Sequence, residues 1–428
     1  MKKFLLALCA AVALLALAAC DNQTATADSL VRGVEYPEAV GFDDYEAKYA
    51  IREANQITDS FANAFDDFAY QTASSLLNDN ADTNVNYSPL SLYYALAVAA
   101  SGAEGQTQQE LLDLLGVADA DTLAEQCGNL YRLLYTDNEV SQLKIATSLW
   151  LDNEVNGQEI TFKDSFLDGA TSNFYASAYS VDFAEQAAGE AMAAWVTENT
   201  DGTLTPQITT DAEQLLSILN TVYFYDQWID RFDASETAAD TFYLADSSSV
   251  ECDFMNQTFA SSSYVRGNNY TRSQLALKNS GSMIFVLPDE GVDVASLVSS
   301  PDVLQEVLTG GEGVSGEVIW QIPKFSFGFS ANLADMLHSL GINAAFNTDA
   351  DFSGITDAMA FISGINQETH IAIDENGVEA SAFTQIDYAG AAMPEGRAEM
   401  ILNRPFIYAV TASNGMILFV GICNNPVA

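Results

Sequence analysis

Residues 374–397, DENGVEASAFTQIDYAGAAMPEGR, carry two patterns at once. They open on an acidic turn, Glu375-Asn376-Gly377, and continue with Val378, Ala380, Ala382 and Thr384 at every second position. Polar Glu379, Ser381 and Gln385 alternate with them, and Phe383 is the exception. Period two with one face of small groups describes a strand able to slot into a packed sheet. Gly390, Pro394 and Gly396, with Ala389, Ala391 and Ala392, instead describe an exposed loop. The segment lies between β-like runs at 371–374 and 406–422, so it connects strands and also reads as one.

Around this segment the bulk properties set bounds. A chain of 428 residues with 49% hydrophobic and 11% aromatic residues has ample material for a core, as one large α/β unit or as two or three average domains. The formal net charge of −44, from 59 acidic and 15 basic residues, argues against nucleic acid and against heparin-like polyanions as partners. It favours a cationic or neutral partner, with steering that salt weakens.

The N-terminus begins with Lys2 and Lys3, an apolar run from Phe4 to Leu17, and Leu17-Ala18-Ala19-Cys20. The run is short for a membrane span and reads as a targeting signal over 1–19. Small residues before a cysteine resemble the bacterial lipobox, which makes Cys20 the expected lipid anchor and the cell envelope the expected location. Residues 20–55 are polar and acidic and read as a tether, followed by a folded domain over 56–428. Cys127, Cys252 and Cys423 are odd in number and widely spaced, which points to buried free thiols rather than disulfides. The two histidines, His338 and His370, have no ligand cluster around them, so neither a metal site nor a cofactor is expected.

Along the domain, 57–77 has helical spacing, with Phe61, Phe65 and Phe68 on one face. Ser88-Pro89-Leu90-Ser91 is a helix start with proline in its first turn, and further helices follow near 107–115, 121–135 and 190–200. The run LLSILNTVYFY at 215–225 is apolar on both faces, as an interior strand is. Strands are also read at 145–151, at 283–287 and at 317–325, where Val318, Trp320 and Ile322 alternate. Residues 330–340 read as a short helix closed by Gly341. FIYAVT and MILFVGI flank Ser413-Asn414-Gly415, a hairpin signal.

In this order the chain resembles the serpins, from about Ile57 to Pro426. The resemblance rests on Asn84…Ser88-Pro89-Leu90-Ser91, Gly102-Ala103-Glu104-Gly105-Gln106-Thr107, and Trp195-Val196 with Thr200. It continues through Asn220-Thr221-Val222-Tyr223-Phe224…Trp228…Phe232, Ser282-Met283…Leu287-Pro288 and Pro323-Lys324-Phe325. Leu340-Gly341-Ile342…Phe346, Ala350-Asp351-Phe352-Ser353-Gly354, Glu375…Gly377…Glu379-Ala380-Ser381-Ala382 and Asn403-Arg404-Pro405-Phe406 complete it. It implies an α+β fold of three β-sheets with eight or nine helices and a reactive loop at about 375–397. It also implies a suicide-substrate mechanism, in which a serine protease is trapped as its acyl-enzyme while the cleaved loop enters the main sheet.

The residues meet the demands of that mechanism. Insertion into a close-packed core needs small inward side chains, since overpacking costs about 1–3 kcal/mol, and Val378, Ala380, Ala382 and Thr384 supply them. Glu375, Gly377, Glu379 and Ser381 complete the expected hinge. From there to Ala391 an extended stretch spans roughly 50 Å, nearly the width of a domain of this size, about 55 Å.

Counting along the family's usual loop puts the attacked bond at Ala391 and Ala392, with Gly390, Met393 and Arg397 as alternatives. The small residues there imply an elastase-like or subtilisin-like target. By motif position Ser88, Ser91, Asn220 and Gln367 form a polar cluster under the sheet, and Trp228 lies where the loop enters. The resemblance further implies a monomer that is no enzyme. A Ser–His–Asp hydrolase has no G-x-S-x-G elbow here. The second reading is a non-inhibitory protein of the same fold that binds or is cut at the cell surface.

Overall fold

The computed structural model describes residues 29–155, 157–378 and 396–428. Nine helices lie among them: α1 Tyr45–Ala54, α2 Asp59–Asp79, α3 Pro89–Gly102, α4 Gly105–Leu115, α5 Ala120–Leu134, α6 Asp164–Asn173, α7 Gln186–Asn199, α8 Pro301–Thr309 and α9 Ala334–Ser339. The strands of the first half are β1 Leu30–Arg32, β2 Val85–Tyr87, β3 Thr136–Asp137, β4 Gln142–Asp152, β5 Glu154–Val155, β6 Gln158–Glu159, β7 Ala176–Val181 and β8 Leu216–Gln227. Those of the second half are β9 Ala238–Tyr243, β10 Ser249–Arg266, β11 Tyr270–Ala276, β12 Ser282–Pro288, β13 Val314–Pro323, β14 Phe325–Asn332, β15 Asn366–Ile373, β16 Gly377–Val378, β17 Gly396–Ile401, β18 Phe406–Thr411 and β19 Ile417–Cys423.

Two large sheets carry the fold. The main sheet runs β1-β7-β4-β8-β16-β15-β14, with β3 on β4. The second runs β17-β13-β10-β11-β12-β18-β19-β2, with β9 on β10, and β5–β6 form a separate hairpin. The α+β architecture is the expected one. Its expected second and third sheets are joined, because β10 runs 18 residues through both, with a register shift between Phe259 and Ser262. A bulge of this kind bends a long strand so that its two halves serve differently facing layers.

Between the sheets sits α3, apolar all round and almost wholly buried, as a helix enclosed on every side must be. Ser88 caps it through its hydroxyl on the Ser91 N–H, with Pro89 at the first position. Phe61, Phe65 and Phe68 of α2 pack around Tyr93, at ring separations of 5.8, 5.2 and 5.1 Å. A second cluster, with Trp150, Tyr179 and Trp195, seats α7 on the main sheet. The three described cysteines are buried free thiols.

Two expectations change. Residues 20–55 are expected as a tether, yet from Ser29 onward the chain is folded against the body. Leu30 pairs with Tyr179, Arg32 bonds Asp168 at 2.7 Å, and Tyr36 stacks on Tyr135 at 6.1 Å. Helix α1 buries none of its residues, so its sequence has a linker's composition. Residues 330–332 continue β14 instead of starting a helix, which leaves α9 six residues long before Gly341 at φ +99°. The β18–β19 hairpin forms where expected, closed by a five-residue loop in which only Gly415 takes a positive φ. Among the described residues no helix is long and apolar enough to cross a membrane.

Candidate functional site

The head of the main sheet is shaped by the turn that follows β15. The Asp374 carboxylate accepts from the backbone N–H of Asn376 at 2.7 Å and of Gly377 at 3.3 Å. This Asx turn is what an Asp followed by Asn-Gly favours. It sends residues 377–378 back between β15 and β8, antiparallel to both. Val378 lies opposite Ile373 on one side and Asp226 on the other, while Gly377 lies opposite Gln227. Val378 is buried. Gly377 has no space for a side chain: a Cβ there would stand 2.2 Å from the Asp226 carbonyl oxygen.

Trp228 and Glu375 clasp the turn. The buried Trp228 indole donates to the Asp374 carbonyl at 2.9 Å, and its backbone N–H donates to that of Asn376 at 3.0 Å. The Phe232 N–H donates to the Glu375 carbonyl at 3.1 Å. The Glu375 carboxylate meets the Lys324 ammonium at 2.9 Å and the Thr237 hydroxyl at 2.8 Å. Burial opposes the Glu375 charge, but the bonds from Lys324, the backbone and Thr237 outweigh it and hold the carboxyl below its ordinary value.

Asp226 stands behind Val378 and is almost fully buried. Its oxygens accept from the N–H of Gln227 at 2.8 Å and of Asn279 at 3.1 Å. Burial nevertheless pushes the carboxyl up to about 7, against those two bonds and the charges of Lys278 and Lys48.

Lower in the sheet, Ser88, Ser91, Asn220 and Gln367 are brought together. The Gln367 side chain accepts from the Ser88 N–H at 3.0 Å and donates to the Ser88 carbonyl at 2.9 Å. Ser91 Oγ donates to the Asn220 carbonyl at 3.5 Å, and the Asn220 amide donates to Thr147 Oγ1 at 2.8 Å. Beside Val378 lies a cavity of about 20 Å³, bordered by Val222 and Phe224 of β8 and Ile371 of β15. Leu204, beyond α7, lies on one face of it and Val410 and Phe419 on the other. Residues 217–220 and 222–225 of β8 are only half-buried, although the strand is interior in order. Among the described residues, Gly377–Val378 is all that pairs between β8 and β15.

Glu379, Ala380, Ser381, Ala382 and Thr384, the bond candidates Gly390, Ala391, Ala392 and Met393, and the anchor candidate Cys20 lie outside the described residues. Arg397, the remaining bond alternative, is set in β17 opposite Glu317 of β13. Its guanidinium lies 3.0 Å from Glu399 and 3.5 Å from Glu317. His338 packs on Phe346, and His370 lies 3.1 Å from Ser326 Oγ. Among the described residues no group of His, Cys, Asp and Glu is placed to hold a metal ion. Asp226, Asp374, Thr237 and Thr147 escape a reading of the sequence. Only Asp226 leaves a signal there, an acid within the apolar run before Trp228.

A sheet whose middle strands, β8 and β15, do not pair with each other among the described residues, with the start of the next segment seated between them, defines a class of protein able to accept a further strand from its own chain. The family model Serpin (serine protease inhibitor) matches residues 63–426, and the chain belongs to the serpin family. Serpin-Z1C of Triticum aestivum is 29% identical over 383 residues, covering 84% of this chain and 94% of that protein. Serpin48 of the insect Tenebrio molitor superposes with a TM-score of 0.75 at 25% identity, over 86% of this chain and 99% of the other. Human thyroxine-binding globulin, solved with its thyroxine, gives 0.75 at 24% identity over 86% and 99%.

Proposed function

We propose that this protein is a suicide-substrate inhibitor of elastase-like or subtilisin-like serine proteases, and that the cleaved loop becomes a strand between β8 and β15. The observation that carries the reading is Val378, already paired to both strands and antiparallel to each. If the register continues two residues at a time, Ala380 falls opposite Phe224 and Ile371, Ala382 opposite Val222 and Thr369, and Thr384 opposite Asn220 and Gln367. The inward side chains are then small, and the threonine hydroxyl arrives at the polar cluster that spans the sheet. Cleavage at Ala391–Ala392 leaves enough chain to carry the acyl-enzyme to the far end. Arg397 is a poor bond for attack, because its backbone belongs to the ladder with β13.

Lipidation of Cys20 would hold the inhibitor outside the cytoplasm on the cell envelope, as a monomer, with residues 29–54 docked on the body. Two or more acyl chains anchor stably where one does not. Thyroxine-binding globulin, which was solved with a small ligand, stands for the second reading, a serpin fold used for binding. The small hinge residues favour inhibition. Incubation with pancreatic elastase, followed by denaturing electrophoresis, is the test. An SDS-stable covalent complex is expected; complete cleavage without one would refute inhibition of this protease class.

A further inference from the structure

The most unusual surface of this acidic protein is a cleft of about 660 Å³ between α1, the end of α5 and the turns at 278–280 and 413–414. Of the 15 Lys and Arg, Lys2 and Lys3 lie outside the described residues, and four of the rest, Lys48, Arg52, Arg132 and Lys278, line this one cleft. Among the described residues, no Asp or Glu lines it. None of the four cations has a carboxylate partner among the described residues. Lys48 reaches only the Asn279 side-chain oxygen at 3.5 Å and the face of Phe42 at 4.8 Å. Arg132 bonds Asn55, Asn129 and Tyr175, and Lys278 bonds Gln227 at 3.0 Å. Burial and the neighbouring Arg231 lower the Lys278 pKa, against the pull of Asp226. The Arg52 guanidinium, one helical turn beyond Lys48, makes no bond among the described residues. Four cations gathered without a direct ion pair, in a chain of net charge −44, are the mark of a site built for an anion.

The walls say which kind. Phe42, Ile51, Ile57 and Leu133 give an apolar lining, and the exposed rings of Tyr45 and Tyr49 stand at the mouth. A cavity of this size with an apolar lining and a few charged groups has the make-up of a small-molecule site. Outside it, Asp43, Asp44, Glu46, Glu53 and Glu139 are all exposed, so an extended polyanion leaving the cleft would meet like charge. We infer that the cleft binds a small amphipathic organic anion, an apolar or aromatic body bearing a carboxylate or sulfonate, with the head group held by Lys48, Arg52 and Lys278. This assignment stands apart from protease inhibition, yet the two sites touch. Asn279 accepts from Lys48, donates its side chain to Thr136 at 3.2 Å, and donates its backbone N–H to Asp226, the residue paired with Val378.

Calorimetric titration of the full chain with indole-3-acetate, its neutral amide and inorganic phosphate tests the site. The carboxylate is expected to bind in one saturable event, about tenfold or more tighter than the amide, as a charge-assisted bond requires. Arg52→Glu is expected to weaken it by about tenfold, with an unchanged far-UV spectrum because that side chain supports no fold contact. Lys48→Glu is the second variant, and 0.3 M salt should weaken the wild-type interaction. Equal affinity for acid and amide, phosphate binding as tightly as the carboxylate, or binding indifferent to both substitutions would each overturn the assignment.

Discussion

Gly377 and Asp226 meet at the point where the hinge joins the sheet. Gly377 has no positive φ to explain it; contact does, since an added Cβ would stand 2.2 Å from a backbone oxygen that cannot withdraw. Gly377→Ala should therefore expel residues 377–378 from the ladder and cost about 1–3 kcal/mol, read as a lowered urea midpoint. An unchanged midpoint would show that the pairing carries no stability. For Asp226 the sign follows from where its carboxyl titrates. The folded value, about 7, lies above the ordinary 3.8, so the native fold takes up the proton more readily than the unfolded chain. Its contribution is complete below about pH 4 and is lost as pH rises to about 7, at about 1.4 kcal/mol for each tenfold difference in proton affinity between the folded and unfolded chains. Asp226→Asn should flatten the stability profile between about pH 4 and 7 and make the variant the more stable of the two proteins at pH 8. Parallel urea profiles would refute it. Glu375 acts in a separate window: its pKa is depressed, so its stabilisation is lost only as pH falls below the ordinary glutamate range. Neither effect is legible in the sequence: the apolar run before Trp228 marks Asp226 as an acid in an interior strand, but not the partners that set where it titrates.

At the level of the strand, sequence and structure agree where one periodic signal dominates. The alternation of Val318, Trp320 and Ile322 marks β13, and Asn-Gly marks the β18–β19 hairpin. Agreement fails where tertiary contact decides. Residues 330–332 have no strand periodicity of their own and extend β14 because β15 pairs with them as far as Asn366. Residues 29–54 read as a tether because α1 is amphipathic without burying a residue. The polar cluster can be named from motif position, but its partner Thr147 cannot, since nothing local marks it. The strand that matters most to function is β16, only two residues long among those described. Its proposed extension yields a sharp prediction: Ala380→Arg should convert the inhibitor into a substrate. An arginine opposite Phe224 and Ile371 would carry an unpaired charge into apolar surroundings, at a cost of several kcal/mol, and insertion would stall before deacylation. The ratio of covalent complex to cleaved product on gels is the readout, and undiminished trapping by the variant would sink the register argument.

For the whole molecule, the proposed mechanism requires a native state that is not the most stable one open to its own chain. The sheet holds the hinge at Gly377–Val378, while the residues after it, small at every second position, match a slot whose strands on both sides are in place. Filling that slot through Ala391 would add a central strand with a backbone ladder on each edge. At roughly 0.5–1.5 kcal/mol per net hydrogen bond, such a strand stabilises the cleaved form on the order of 10 kcal/mol. In the intact protein the loop is tied at its far end, where β17 is paired in parallel with β13 from Gly316↔Gly396 to Gln321↔Ile401. On the proposed mechanism, cleavage frees the hinge side of the loop from that tie and lets the strand be completed. A single nick in the loop should raise the melting temperature by roughly 10–15 °C, the reverse of what cutting does to an ordinary surface loop. Scanning calorimetry of intact chain and of chain nicked once between residues 385 and 395 makes the comparison. Equal melting temperatures, with the nicked protein still compact, would mean that no strand enters, and the trapping mechanism would fall with it.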